Sequence, residues 1–243
     1  MPGSGRLVVS AFGAQVLSWR TADGLERLYL SPLATFDGRT AIRGGVPVCF
    51  PQFGRQGPLT PHGFARRQRW NLTPADPALP ATLTFRLHDN AATRAEWPYA
   101  FDATLSIALA NRQLQVMLSV HNAGPEAFDF TAALHTYLRV DDLAVTRLDG
   151  LVDSLVLAGG IDRIVAAAPE RIDLVHAGGG LVVRQGGGFG DTVVWNPGSA
   201  SIADVPGCDR TRFLCVEAAC VAHPARLAAA EVWSGWQCLT VRD

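Results

Sequence analysis

The chain contains no lysine; all 21 of its basic residues other than histidine are arginine. Schiff-base catalysis, covalent attachment of pyridoxal phosphate and the phosphate-gripping lysine of a P-loop are excluded with it. Long apolar runs are equally absent, none approaching the roughly 18 residues of a spanning helix, and the start, MPGSGRLVVSAFG, has no apolar stretch of the signal-peptide kind. The sequence therefore predicts a cytoplasmic protein with no membrane partner. An excess of charge of one sign is missing too. With 21 basic against 22 acidic side chains, the formal net charge is −1, far from the positive field that a general phosphate-backbone binder needs, so no nucleic-acid partner is expected. The five cysteines are odd in number and never spaced as CxxC, which suggests neither a disulfide framework nor a zinc knuckle but reduced, mostly buried thiols. The glycine clusters near 178 and 186 do not fit G-x-G-x-x-G, so there is no dinucleotide fingerprint.

What is present is alternation of period two from end to end. Leu83, Phe85 and Leu87 alternate, as do Phe101, Ala103, Leu105, Ile107 and Leu109; after a turn near Asn111 the pattern resumes at Leu114, Val116, Leu118 and Val120, which predicts a hairpin. Further strands are predicted at 14–19, 127–137, 181–184, 192–195, 212–220 and 236–241, separated by Gly, Pro, Asp and Asn clusters. Helical periodicity is not evident; even PARLAAAEVW is short and follows a proline. With no linker or internal repeat over 243 residues, the expectation is all-β: one domain, 1–243, built as an antiparallel sandwich with sheets face to face.

Several polar residues interrupt these strands. In AFDFTAALHTY, Phe128, Phe130, Ala132 and Leu134 share one face; Asp129, Thr131, Ala133, His135 and Tyr137 share the other. His135 reads either as a satisfied structural histidine or as a proton carrier. In RFLCVEAAC, Glu217 is the one charge after Arg212 and shares a face with Phe213, Cys215 and Ala219. It reads as a rim carboxylate, as a partner of an arginine, or as a desolvated general base. Asp191 opens DTVVWNPG, where most aspartates cap loops, and Trp195 is either core or a flat surface for a sugar ring. PHGFAR sets His62 and Arg66 four residues apart in a loop stiffened by proline and glycine. No two histidines stand at ligand spacing, so no metal is expected.

The motifs AIRGGVPVCFPQFG, PHGFARRQRW, ALHTYLRV, VVWNPG and FLCVEAACVA, in this order, resemble those of the glucose-6-phosphate 1-epimerase family, a branch of the galactose mutarotase-like aldose 1-epimerases. The likeness runs from GAQVLSW at 13 to the last strand. It implies a β-supersandwich that interconverts the α and β anomers of a hexose 6-phosphate, a small-molecule partner, without a cofactor. By motif, His135 is the implied acid delivering a proton to the ring oxygen and Glu217 the implied base taking one from the anomeric hydroxyl. His62 is implied beside the sugar oxygens, Arg43 and Arg66 as sugar or phosphate contacts with Arg67 and Arg69 as alternatives, and Asp191 as an acceptor for sugar hydroxyls. The stretch 150–173 follows only loosely the family's GL-x-G and acidic-Asp-Arg pattern, and it shapes the rim. The alternatives are an aldose 1-epimerase of unphosphorylated sugars and a non-catalytic sugar-binding protein on the same fold.

Overall fold

The computed structural model describes residues 5–79, 81–110, 112–151, 155–157 and 159–242. Strands form where alternation lets one face be buried. In Phe101–Ala110 and Gln113–Asn122, register pairs Ala103 with Val120, Leu105 with Leu118 and Ile107 with Val116, all buried on one side. The hairpin is as expected, although Asn111 itself lies outside the described residues. Each such side chain contributes about 1.5–3 kcal/mol by leaving water.

Two large antiparallel sheets result, and Arg6–Val9 pairs with Val16–Arg20 in a separate two-stranded one. The larger has eight strands in the order Arg147–Asp149, Arg171–His176, Gly179–Gly187, Val232–Val241, Gln113–Asn122, Phe101–Ala110, Thr82–His88 and Asn71–Leu72. The smaller runs Ile161–Val165, Asp191–Asn196, Phe213–Leu227, Phe128–Leu134 and Val48–Cys49, with Tyr137–Arg139 also paired to Phe213–Leu227. Leu105, Ile107, Leu118 and Leu239 of the first sheet share one core with Phe130, Leu134, Val194 and Val216 of the second. The galactose mutarotase-like sandwich expected from the sequence is therefore the architecture found.

One local reading needs correction. A helix does exist, Ala91–Glu96, held by a reciprocal box in which the Asn90 side chain accepts from Thr93 N and the Thr93 hydroxyl accepts from Asn90 N. Six residues are too few to show a helical period. PARLAAAEVW, where no helix is expected, carries Phe213–Leu227 to its end and begins Val232–Val241. Pro224 is tolerated because the pairing with Phe128–Leu134 is interrupted between Cys220 and Ala225.

Two buried glutamines, Gln185 and Gln237, sit opposite one another in the larger sheet and reach across the core to the smaller. Gln237 Nε2 donates to Val216 O at 2.9 Å, and its Oε1 accepts from the Thr136 hydroxyl at 2.5 Å. Gln185 does the same with Asp191 O and the Thr192 hydroxyl, at 2.9 and 3.0 Å. Both residues that Gln237 touches adjoin the sequence-predicted pair, His135 and Glu217. Replacing Gln237 by Leu strands a buried hydroxyl and a carbonyl, and is expected to lower stability by about 1–3 kcal/mol; adding Thr136→Val should recover part of that loss, read from urea unfolding midpoints.

Candidate active site

The pairs Leu134 with Ala218 and Tyr137 with Cys215 keep one register across Phe213–Leu227, so His135 falls opposite Glu217. On the other side Glu217 pairs with Val193 and Cys215 with Trp195. Side chains of this set point away from the sandwich core, because their neighbours Leu134, Val194, Val216 and Ala218 point into it. Of these, His135, Val193, Trp195 and Glu217 floor an open cleft of about 210 Å³ whose lining also includes Arg43, Phe53, Gly54, His62 and Asp162.

His135 Nδ1 and Glu217 Oε1 stand 3.4 Å apart, with the two side chains 8% and 1% exposed. Glu217 is thus neither a rim carboxylate nor, among the described residues, ion-paired with an arginine. His135 Nδ1 and Glu217 Oε2 are buried without hydrogen-bond partners. Burial pushes the Glu217 carboxyl well above the usual range, with nearby Asp162 adding to the effect and Arg66 opposing it. The His135 imidazole is pushed well below its usual value, by burial first and then by His62, Arg66 and Arg43. Its ring stacks on Tyr137 at 4.9 Å and meets the edge of Trp195 at 5.9 Å. Trp195, half-buried, forms part of the cleft wall.

The PHGFAR loop is pinned from beneath. Phe64 is fully buried and packs on Phe50, Trp97 and Phe101. Gly63 has no alternative: a Cβ there would lie 2.2 Å from Phe50 O. His62 itself holds a left-handed backbone, φ 67°, costly for a residue with a side chain. This turns its ring to 5.3 Å from that of His135, while its Nδ1 takes the Gly54 N–H at 3.4 Å and lies 3.2 Å from Cys49 Sγ.

Arg43 lines the cleft with its guanidinium held on two sides, Nε donating to Asp204 at 3.0 Å and Nη1 to the Tyr137 hydroxyl at 2.8 Å. Arg66 is half-buried, donates through Nη2 to Pro61 O and does not line the cleft. Arg67 is turned toward Thr60 and Glu96, and Arg69 is exposed. Asp191 shares the face of Glu217 but is not brought into the cleft lining. Its Oδ2 accepts from Val221 N and Ala222 N, both at 2.8 Å, and its Oδ1 from Ala167 N at 3.3 Å. An exposed carboxylate that the sequence reading had not singled out, Asp162, lies in the cleft instead. It pairs with Trp195 on the edge strand Ile161–Val165. Its signal was the Asp-Arg of the loosely matching stretch 150–173, of which residues 152–154 and 158 lie outside the described residues. Ligand atoms of His135, Cys215 and Glu217 all lie within 4.8 Å of one another, a metal-ligating grouping that sequence spacing could not display because it is made across strands.

The aldose 1-epimerase family profile matches residues 2–158. A Cenchrus ciliaris protein bearing the name "Putative glucose-6-phosphate 1-epimerase" is 32% identical over 255 residues, covering 92% of this chain and 78% of its own length. The chain belongs to the aldose 1-epimerase family. A solved structure described as a "putative mutarotase" from Salmonella typhimurium superposes with TM-score 0.88 at 28% identity, covering 98% of this chain and 87% of that one. A "galactose mutarotase related enzyme" from Lactobacillus acidophilus, 17% identical with TM-score 0.75 over 100% of this chain and 96% of its own, shares the fold. Family membership makes the protein an isomerase of sugar anomers built on a mutarotase sandwich.

The site carries a pH signature. Burial, then the charges of Arg66 and Arg43, push His62 down to about 3. Between about 3 and the ordinary 6.5 the unfolded chain binds a proton there that the folded chain does not, so stability rises with pH across that window and is lost on acidification. His135 acts in the same sense; Glu217, held up, acts oppositely as pH rises above its ordinary 4.5. Asn tolerates the left-handed backbone, so His62→Asn should remove up to one proton's slope, about 1.4 kcal/mol per pH unit. Denaturation midpoints from pH 4 to 7 should fall less steeply with acid in the variant than in the wild type.

Proposed function

We propose that the protein interconverts the α and β anomers of a hexose 6-phosphate, and that His135 and Glu217 exchange the two protons that the reaction moves. The observation that carries this reading is a buried imidazole and carboxylate 3.4 Å apart at the floor of an open cleft, each with an unsatisfied polar atom. The choice of a phosphorylated sugar is supported by the name of the Cenchrus ciliaris relative and by the arginine at the cleft wall.

In the reactive arrangement the pair's proton sits on His135 and the charge on Glu217. Glu217 removes the proton from O1 of the bound sugar as His135 gives its own to O5. The C1–O5 bond breaks, C1–O1 becomes a carbonyl, and the ring opens. Rotation about C1–C2 presents the other face, and the protons return by the reverse path. Burial opposes charge separation in the pair; a sugar laid across it supplies hydroxyls that hydrogen-bond the carboxylate and so favours the reactive form. His62 has its Nδ1 occupied by Gly54 N–H, which leaves Nε2 to carry the ring proton toward a sugar oxygen. Arg43, oriented by Asp204 and Tyr137, offers its remaining N–H groups to the sugar or its phosphate. None of these steps requires a cofactor.

The test is magnetisation transfer between the anomeric proton signals of glucose 6-phosphate at equilibrium, with and without protein. Wild type should accelerate exchange, and Glu217→Gln should reduce kcat by about 10²–10⁴-fold, the usual worth of a positioned acid or base. Unchanged exchange in that variant would remove Glu217 from the mechanism, and sugar binding without acceleration would mark a binding protein. Arg43→Ala should raise KM for glucose 6-phosphate more than for free glucose; equal effects on both would favour an unphosphorylated substrate.

A further inference from the structure

The proposed reaction leaves unused one buried side chain that adjoins the cleft-lining Glu217 without itself lining the cleft. Cys215 stands two residues from Glu217 on the same face of Phe213–Leu227, diagonal to His135 across the register, and is fully buried against Tyr137 and Trp195. Its Sγ, an imidazole nitrogen of His135 and a carboxylate oxygen of Glu217 all fall within 4.8 Å of one another. Among the described residues no other group of three such side chains comes together. Donors around a tetrahedral zinc ion stand about 3.3–3.6 Å apart, so side-chain movements on the order of 1 Å close the set.

The environment favours occupation as well as permitting it. His135 Nδ1 and Glu217 Oε2 are buried with no partner, a cost that a coordinated cation relieves. One sulfur, one imidazole and one carboxylate suit Zn²⁺, Co²⁺ or Cd²⁺ and not the oxygen-seeking Mg²⁺ or Ca²⁺. Cys215 and Glu217 lie on Phe213–Leu227 and His135 directly follows Phe128–Leu134, and His135 and Glu217 line the cleft, the path by which a sugar would arrive.

We propose that His135, Cys215 and Glu217 form an inhibitory site for a thiophilic divalent cation, in which the ion and the sugar exclude one another. Binding displaces the thiol proton of Cys215 and keeps Glu217 as the carboxylate. Protons therefore leave to solvent, and affinity falls as the solution is acidified. Coordination stands on geometry alone; inhibition also rests on the sugar-anomer reading given above.

Co²⁺ titration of the whole protein separates the two, because a thiolate on cobalt gives a near-ultraviolet charge-transfer band. Wild type should develop the band at one ion per chain, and excess glucose 6-phosphate should bleach it. In Cys215→Ser, and in Cys215→Ala as a second variant, the band should vanish while anomer exchange continues. Zn²⁺ should inhibit exchange by the wild type, and the Cys215 variants should need on the order of 100-fold more of it, since even outer partners of a metal site are worth 10–100-fold in affinity. Absence of the band in wild type, its persistence without Cys215, or its loss only in Cys49→Ser, which would place the ion on the neighbouring Cys49 and His62, overturns the site. A band that follows Cys215 in a protein without exchange activity would uphold the coordination and reject the anomer reading.

Discussion

The cleft depends on one antiparallel register. Leu134 opposite Ala218 and Tyr137 opposite Cys215 leave His135 opposite Glu217, and a slip of one residue would turn both into the core while bringing Leu134 and Val216 out. Such a slip is opposed from both sides. Leu134, Val194, Val216 and Ala218 are fully buried among core residues of the larger sheet. Gln237 meanwhile fastens Val216 and Thr136 by atoms whose donor and acceptor roles cannot be exchanged without stranding a carbonyl. The same glutamine that joins the sheets therefore holds the two backbone positions adjoining His135 and Glu217. Stability and placement are one problem here, not two.

Burying the pair has an electrostatic consequence. A carboxylate this deep, with no arginine or main-chain donor bound to it among the described residues, is held toward its neutral form, and the histidine toward its own. Removing both from water is costly, and nothing in the resting site fully offsets it, since two polar atoms remain unpartnered. A cleft that spends free energy in this way is primed for whatever supplies the missing partners: sugar hydroxyls in the proposed reaction, or a cation drawn in by Cys215. The strained backbone at His62 belongs to the same account, because it aims a second imidazole at the spot.

Much of this was legible in the residues. Period-two alternation placed the principal strands, put His135 opposite the Phe128 face and set Glu217 beside Cys215, because a strand's two faces follow from sequence parity alone. Partners across strands did not follow. That His135 meets Glu217, or that Cys215 joins them, depends on register between segments far apart in the chain, which no local pattern encodes. The edge strand Ile161–Val165 also escaped notice, its residues half-buried or exposed and hence without clean alternation, and with it went Asp162. The six-residue helix was invisible for want of length, although Asn90 and Thr93, three apart, carried its capping signature.

Asp191 and Glu217 show why residue type and face do not settle a role. Both are buried carboxylates on adjacent strands and on one face, Asp191 in register with Ala219, two positions beyond Glu217. The difference lies in the main chain around them. Where Phe213–Leu227 departs from its ladder beyond Cys220, Val221 and Ala222 turn their N–H groups onto Asp191, and Ala167 adds a third. Three main-chain donors thus hold that carboxylate. Within the regular ladder at Glu217 no backbone N–H among the described residues donates to the side chain, and its buried Oε2 is left without a partner beside the cleft. An irregularity three residues further along the same strand thus separates a carboxylate held by main-chain donors from one that lines the cleft.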